Sequence, residues 1–304
     1  MNLLLENIVN LSAVSTDHIH LPVTINHNIA LDILRLDKIH PVISGNKWFK
    51  LKYYLEEALQ NRQNRVVTFG GAYSNHIIAT ACAASKAGLK SVGIIRGERP
   101  AVLSLTLSAA TQLGMELKFV SRETYNQKKN PAFIKQLQRE YHNPCIIPEG
   151  GEGYTGIKGA AEIAKLAGTE NYTHLVCAVG TGTLLSGLAV SAVKQQQVIG
   201  IAVLKGFNDW RSAYIAKKEQ QRISIITDYH FGGYAKKDSA LLEFMNEWYN
   251  ETNIPSDFVY TGKLFFAVCD LIKKGYFPKT SRLLVIHSGG LQGNKSLPLK
   301  TLVF

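Results

Sequence analysis

The sequence predicts an α/β fold built on parallel sheets, and two observations carry this prediction. Short apolar runs alternate with longer segments of helical character, and glycine clusters follow several of the apolar runs. A strand followed by a helix, repeated along a chain, is typical of a parallel sheet covered by helices on both faces. Open sheets of this kind bind ligands beyond the carboxyl ends of their strands, so the glycine turns are the first candidate sites.

The pattern places each element in turn. Strands are predicted at 65–69, 91–95, 117–120, 174–179 and 198–204, with helices at 74–87, 103–113, 131–141 and 184–194 between them. The stretch 144–156 is the richest in glycine and proline, which favours a hinge between two lobes. We therefore expect two open, twisted parallel sheets, with a large domain of residues 1–43 and 151–304 and a small domain of residues 44–150. The ligand should lie in the cleft between these domains.

Composition excludes several classes of protein. The chain has 304 residues, of which 46% are hydrophobic, so it can form a sizeable core and is not expected to be disordered. No apolar run approaches the length of a membrane span, and Glu6 stands where a secretory signal would be basic. We expect a cytoplasmic protein without a membrane partner.

Charge and cysteine content narrow the choice of ligand. The formal net charge is +11, but the basic residues are spread along the chain, which indicates a generic basic surface that suits small anionic substrates as well as a nucleic acid. The four cysteines are far apart and lack the spacing of a zinc site, so we expect reduced thiols and no metal. They are Cys82, Cys145, Cys177 and Cys269.

The turn Gly180-Thr181-Gly182-Thr183 lies between the apolar run HLVCAV and a helix of small residues. Free amide groups at such a helix start, with the helix dipole and two hydroxyl groups, form a cup for a phosphate. The pattern is not GxGxxG, and no acidic residue ends the next strand to hold a ribose, so a phosphate monoester is favoured over a dinucleotide. This sequence is also compatible with an ordinary tight turn between a strand and a helix that binds no ligand.

Two other segments contain candidate chemical groups. Lys47 lies in the first turn of a predicted helix, where the helix dipole opposes a cation; if it were also buried, its lowered pKa would suit a Schiff-base amine. The turn from Gly70 leads to Ser74, Asn75 and His76 at another helix start, where they could bind a carboxylate or a ring hydroxyl. Ser74 could equally act only as a helix cap, and His76 could simply be a satisfied histidine at a helix start.

Two segments in the last fifth of the sequence contain further candidate residues. Tyr260 precedes a predicted helix in VYTGK, and Ser288 follows the apolar run RLLVIH and precedes two glycines. A serine at this position suits a hydroxyl directed at a ligand, although a plain turn would also fit. The Ser-Gly-Gly order does not match the nucleophile elbow of a hydrolase.

These segments in this order resemble the pyridoxal-5'-phosphate enzymes of fold type II, the tryptophan synthase β class. Within it they resemble the branch that contains D-cysteine desulfhydrase and 1-aminocyclopropane-1-carboxylate deaminase. The similarity runs from about Ile33 to Gly290 and rests on SGNKWFKLKY, GGAYSNH, GTGTLLSG, YHFGGYAK, VYTGK and HSGG. It implies a homodimer that binds pyridoxal phosphate and acts on a small amino acid.

The resemblance assigns a role to each residue. Lys47 matches the lysine that holds the cofactor covalently, and Ser74, Tyr234 and Tyr260 match the other catalytic positions. The matches for cofactor binding are Lys47, Asn75, Gly180, Thr181, Gly182, Thr183, Leu184 and Ser288. The matches for substrate binding are Tyr73, Ser74, Asn75 and His76.

Two positions separate the chemistries within the branch. Deaminase-like members read YEGK and HLGG, whereas desulfhydrase-like members read YTGK and HTGG. This chain reads YTGK and HSGG, so Thr261 stands in place of the glutamate, and Ser288 supplies the hydroxyl that would face the pyridine nitrogen. A hydroxyl does not hold a proton there as a carboxylate would, which suits β-elimination from D-cysteine better than ring opening.

Some positions depart from the pattern. Tyr73 stands where desulfhydrase-like members have glutamine, the tail after Gly290 is altered, and the early RDD reads Arg35-Leu36-Asp37. The first two bear on the substrate, so deamination of 1-aminocyclopropane-1-carboxylate remains the alternative. More distant alternatives are a nicotinamide-dependent oxidoreductase, which leaves the Lys47 segment unexplained, and a basic nucleic-acid-binding protein.

Overall fold

A computed structural model describes residues 3–193, 195–207 and 210–304. The strands within these residues are β1 (Thr16–Ile19), β2 (Ala30–Arg35), β3 (Arg65–Gly70), β4 (Lys90–Arg96), β5 (Met115–Val120), β6 (Cys145–Ile147), β7 (His174–Val179), β8 (Gln197–Ala202), β9 (Ile223–Ile226) and β10 (Arg282–His287).

The α-helices in the described part of the chain lie between and beside these strands. They are α1 (Leu3–Glu6), α2 (Pro22–Asn26), α3 (Asn46–Gln60), α4 (Asn75–Lys86), α5 (Leu105–Gln112), α6 (Arg122–Asn126), α7 (Pro131–Glu140), α8 (Tyr154–Ala160), α9 (Thr183–Ser191), α10 (Lys217–Gln220), α11 (Ser239–Thr252) and α12 (Thr261–Lys273).

The strands form two sheets. One sheet has the order β5-β4-β3-β6 and is parallel throughout, and the other has the order β1-β2-β10-β7-β8-β9. In the second sheet β1 runs antiparallel to β2, with Thr16 opposite Leu34, while the remaining pairs are parallel. The predicted fold class of two parallel sheets is therefore confirmed, with one antiparallel edge strand. The sequence pattern did not predict the strands β1, β2, β6 and β9.

The predicted elements agree with the structure to within a few residues at each end. The helix predicted at 184–194 begins one residue earlier and ends at Ser191, and Lys194 lies outside the described residues. The strands of the parallel sheet all lie between Arg65 and Ile147, and those of the larger sheet lie on either side of them in the chain. The exact division into domains at residues 43 and 150 stays a prediction.

Alternating side chains of the larger sheet pack into two different cores. On β2, Leu34 joins the core formed with α3, α8 and α9, whereas Leu31 and Ile33 join the core formed with α12. This alternation follows from the two-residue period of a strand, and it buries both faces of the sheet. The smaller sheet is likewise covered on both faces, by α4 and α5 on one side and by α7 on the other.

Two further features bear on the predicted surroundings of the protein. Among the described residues, none of the helices combines the length and apolar character needed to cross a membrane. The four cysteine thiols are free, and three of them are buried.

Candidate active site

A cavity of about 480 Å³ lies beyond the carboxyl ends of strands from both sheets. The smaller sheet contributes residues that follow β3, β4 and β6, and the larger sheet contributes residues that follow β7, β8 and β10. Parallel strands direct their carboxyl ends to one edge of a sheet, which is why residues far apart in the chain meet here. Nearly all the predicted site residues line it: Lys47, Tyr73, Ser74, Asn75, His76, Gly180, Thr181, Gly182, Leu184, Tyr234, Tyr260 and Ser288.

Lys47 enters the cavity from the first turn of α3. The helix begins after Gly45, whose φ of +68° is accessible to glycine and whose Cβ, if present, would lie 1.9 Å from the carbonyl oxygen of Ser288. The Lys47 ammonium donates a hydrogen bond of 2.7 Å to Oδ1 of Asn46 and lies 5.7 Å from the centroid of the Tyr260 ring. Burial lowers the pKa of Lys47 to about 8, although the nearby Asp257 carboxylate opposes this shift.

Lys50 is a second lysine in the cavity, and it lies in the segment SGNKWFKLKY, although no role was predicted for it. It follows Lys47 by three residues, so the two side chains lie on the same face of α3. Burial, followed by the repulsion of Lys47, lowers the pKa of Lys50 to about 7. Two neighbouring amines withdrawn from water make this part of the cavity a strong site for an anion.

The turn after β3 presents Ser74, Asn75 and His76 at the start of α4. The hydroxyl of Ser74 accepts a hydrogen bond of 3.4 Å from the amide of Ile77, so Ser74 does cap the helix, and it also lines the cavity. His76 is buried, and its Nε2 lies 2.9 Å from the hydroxyl of Thr68. Burial and the charges of the two lysines lower the pKa of His76 to about 3, so the ring is neutral at physiological pH.

The turn after β7 is the segment that was predicted to bind a phosphate. Gly182 caps α9 with a φ of +83°, and a Cβ on it would lie 2.4 Å from Cζ2 of Trp210. The hydroxyls of Thr181 and Thr183 lie 3.0 Å apart and share a hydrogen bond. Thr181 lines the cavity, but Thr183 is buried behind it and is not among the lining residues. The first amides of α9 have no partner within the helix, which leaves them available to an anion.

Two tyrosines line the cavity, and the ring of one of them, Tyr260, faces Lys47. The rings of Tyr234 and Tyr260 pack edge to face with centroids 6.2 Å apart. Burial raises the pKa of Tyr260 well above its usual value, and the charges of Tyr234 and Asp257 raise it further. Burial raises the pKa of Tyr234 as well. Both hydroxyls therefore stay protonated at physiological pH and can donate hydrogen bonds.

Thr261 and Ser288, the two positions that separate the chemistries, differ in orientation. Ser288 lines the cavity. Thr261 is fully buried outside it, and its hydroxyl donates a hydrogen bond of 2.8 Å to Oδ1 of Asp257. The Asp257 carboxylate also accepts from the amides of Val259, Tyr260 and Thr261, so it caps the start of α12.

Several residues of this site were not predicted from the sequence. Arg96 at the end of β4, Glu149 after β6 and Lys50 line the cavity. Asp257 does not line it, but its charge raises the pKa of Lys47. Arg96 directly follows a predicted strand, which was an available signal for it, whereas Glu149 lies in the stretch 144–156 that was predicted as a hinge. Among the described residues that line the cavity, none belongs to the altered tail. The ring of Phe304 in this tail packs against Tyr249 of α11, with centroids 4.6 Å apart.

Comparison with known proteins identifies the same class. Residues 27–289 match the model of a family described as pyridoxal-phosphate dependent enzyme. A protein from Pyrococcus furiosus named putative 1-aminocyclopropane-1-carboxylate deaminase is 30% identical over 83% of this chain and 82% of its own. D-cysteine desulfhydrase from Klebsiella pneumoniae is 26% identical over 85% of this chain and 86% of its own.

A solved structure described as an ACC deaminase homologue shares the fold. It has a TM-score of 0.77 and 26% sequence identity, and the match covers 96% of this chain and 94% of that chain. The similarity to this branch and the dependence on pyridoxal phosphate, both expected from the motifs, are therefore confirmed.

Proposed function

The chain belongs to the family of pyridoxal-phosphate-dependent enzymes, as a lyase of the branch of 1-aminocyclopropane-1-carboxylate deaminase and D-cysteine desulfhydrase, and from this premise we propose a β-elimination. The first candidate substrate is D-cysteine, which would give pyruvate, ammonia and hydrogen sulfide. We assign the catalytic roles to Lys47, Ser74, Tyr234 and Tyr260.

The residues of the cavity fit the cofactor. The turn at Gly182 offers unpaired helix amides to a phosphate, and Lys50 adds a buried positive charge that a phosphate would neutralise. The lowered pKa of Lys47 leaves part of its amine unprotonated at neutral pH, which a covalent bond to an aldehyde requires. Bound pyridoxal phosphate would supply an acceptor for the electron pair left when the Cα proton is removed.

The side chains of the cavity bind the substrate, remove its Cα proton and protonate the leaving group. The substrate carboxylate docks on the start of α4, at Ser74 and the amides that follow it. Lys47, or Ser74 assisted by it, removes the Cα proton. Tyr260 and Tyr234, which keep their phenolic protons, orient and protonate the leaving sulfur.

The observation that carries elimination over ring opening is the orientation of Thr261. A glutamate at that position would be the family's acid near the pyridine nitrogen, but here the hydroxyl is bound to Asp257 and is fully buried. Ser288 alone of this pair reaches the cavity, and it offers a hydroxyl and no carboxylate. Expulsion of a thiol places less demand on the cofactor ring than opening of a cyclopropane does.

A second candidate is supported by the relatives. The proteins named putative 1-aminocyclopropane-1-carboxylate deaminase are about 29 to 32% identical to this chain, slightly more than the D-cysteine desulfhydrases at 25 to 26%. Ring opening of 1-aminocyclopropane-1-carboxylate to α-ketobutyrate and ammonia is therefore the alternative activity.

Parallel assays of the purified, cofactor-loaded protein choose between them. We expect hydrogen sulfide and pyruvate from D-cysteine in equal amounts, with L-cysteine as the stereochemical control. α-Ketobutyrate from 1-aminocyclopropane-1-carboxylate, without hydrogen sulfide from either cysteine, would reverse the assignment. If none of the three compounds is turned over, the family membership stands but the substrate is a different one. Tyr73, which lines the cavity and is 61% exposed, is then the first residue to test for an effect on substrate specificity.

Assembly is proposed on the resemblance alone, and location on the expectations from the sequence. We propose a homodimer in the cytoplasm with no nucleic-acid or membrane partner. Light scattering of the purified protein would give twice the chain mass for a dimer, and a monomer mass would contradict the proposal.

A further inference from the structure

Arg96 is a cation in the cavity for which the elimination mechanism has no use. We propose that Arg96 makes the enzyme selective for amino acids that carry a second negatively charged group, which it binds at the far end of the side chain. This inference rests on the proposed function in one respect, namely that the cavity binds an amino acid.

The sheet places Arg96 one strand away from the start of α4. It ends β4, and the residue before it, Ile95, lies opposite Gly70 at the end of β3. Neighbouring strands are about 4.8 Å apart, so Arg96 stands beside the turn that leads to Ser74. Its side chain is exposed and lines the cavity.

The guanidinium of Arg96 has no carboxylate partner within 4 Å among residues 3–193, 195–207 and 210–304. Its Cζ lies 6.0 Å from the centroid of the Tyr125 ring, and Lys128 lies 4.8 Å from the same ring. Glu149, the acidic residue on this wall, lies 3.5 Å from Lys128. Two cations against one carboxylate leave a positive charge that a ligand can neutralise.

Arg96 and Lys47 reach the cavity from different elements. Lys47 extends from α3 and faces the ring of Tyr260, which packs against Tyr234. Arg96 extends from the end of β4, and its guanidinium lies beside Tyr125 of α6, so it borders the cavity beside a ring other than the one that Lys47 faces.

This arrangement separates two anion sites. The start of α4 receives the α-carboxylate, since Ser74 and the helix amides point there. In the proposed arrangement, a substrate side chain that extends from Cα at Lys47 across the cavity ends near Arg96, because both residues line it. A planar guanidinium suits a carboxylate, phosphate or sulfonate, because it can donate two parallel hydrogen bonds. Cysteine is too short and too weakly charged to use it fully, so a β-substituent with an anionic group should be preferred.

Binding of unreactive amino acids tests this without any turnover. Glutamate and glutamine differ in charge at the end of the side chain, as do aspartate and asparagine, and none of them has a good leaving group at Cβ. Calorimetry on the cofactor-loaded protein, with both enantiomers, should show the acid of at least one pair bound about tenfold to a hundredfold more tightly than its amide.

Variants assign that preference to Arg96. In Arg96→Gln the difference between acid and amide should fall to less than about threefold, whereas Arg96→Lys should keep part of it. Arg99→Gln is the matched control, because Arg99 is exposed three residues further on, contacts Phe119 and does not line the cavity. It should leave the preference unchanged.

Three results would overturn the proposal. The wild-type protein could bind acid and amide equally, or it could bind none of these amino acids. Alternatively, Arg96→Gln could weaken acid and amide by the same factor, which would place Arg96 at the α-carboxylate. Each is distinguishable from failure of the proposed elimination, since hydrogen sulfide release from D-cysteine is measured separately and does not require this preference.

Discussion

The two walls of the cavity are built differently. The wall from the larger sheet consists of the turn from Gly180 to Leu184 with Tyr260 and Ser288, and close packing defines it: a Cβ on Gly182 would overlap Trp210, and one on Gly180 would lie 3.3 Å from Tyr260. The wall from the smaller sheet presents Tyr73 and Arg96, both exposed side chains that reach into the cavity. The difference suggests that closely packed backbone holds the cofactor and that exposed side chains choose the substrate.

Lys47 stands between the walls, and its removal should have the largest effect. We expect Lys47→Ala to lower turnover by about 10³-fold or more, because Lys47 is the amine to which we assign both the bond to the cofactor and the removal of the Cα proton. Steady-state assays with D-cysteine measure this. Lys90→Ala, an exposed lysine at the start of β4, is the control and should retain full activity. Comparable activity in the two variants would remove Lys47 from the mechanism.

Replacing Thr261 by glutamate tests whether the larger-sheet wall accepts the acid of the deaminases. The side chain of Thr261 is fully buried beside the Asp257 carboxylate, so a second carboxylate there should destabilise the fold by about 3 kcal/mol or more. Urea denaturation measures this, with Thr261→Ser as the control that keeps the hydroxyl. A stable Thr261→Glu protein that opens 1-aminocyclopropane-1-carboxylate would show that the glutamate can reach the cavity.

Gly182→Ala tests the close packing of the phosphate cup. The positive φ should cost about 1 to 2 kcal/mol, and the overlap with Trp210 about 1 to 3 kcal/mol more. Gly88→Ala separates these contributions, because Gly88 has a φ of +71° but open space around it. We expect weaker cofactor binding only in Gly182→Ala, measured by titration of pyridoxal phosphate. Equal losses of stability in the two variants would mean that Trp210 does not enclose the cup.

The lysines of the cavity predict a pH dependence of stability in the cofactor-free protein. The pKa of Lys50 is lowered from 10.5 to about 7, so above pH 7 the unfolded chain binds more protons than the folded one. Stability should therefore rise with pH, by about 2 kcal/mol between pH 7 and pH 9 for Lys50 alone. Urea denaturation across this range should show a shallower rise in Lys50→Met, and identical slopes would contradict the burial of this charge.

Much of the site could be predicted from the sequence because its motifs lie at strand ends. Glycine turns after apolar runs must meet at one edge of a parallel sheet, so the turns at Gly70, Gly180 and Ser288 could be grouped from the strand pattern alone. The antiparallel direction of β1 could not, because a short edge strand has no helix to mark its direction.

The residues that were not predicted depend on packing that a linear pattern does not contain. The pKa of Lys50 is lowered only because α3 is buried against α8 and beside the cavity. The role of Asp257 depends on the way α12 begins. Thr261 illustrates the same point, since its identity was readable from VYTGK but its orientation toward Asp257 was not. Arg96 follows a predicted strand but belongs to no motif, and Glu149 lies in the stretch 144–156, whose glycines and prolines indicated only a hinge.

Lys47, and not the neighbouring Lys50, is the residue that we expect to form the covalent bond to the cofactor. Borohydride reduction of the cofactor-loaded protein, followed by peptide mapping with mass spectrometry, tests this directly, because reduction fixes the cofactor on the lysine that holds it. We predict a single modified peptide that contains the cofactor on Lys47. Modification of Lys50, or a protein that takes up no pyridoxal phosphate and yields no modified lysine, would contradict the role given to Lys47.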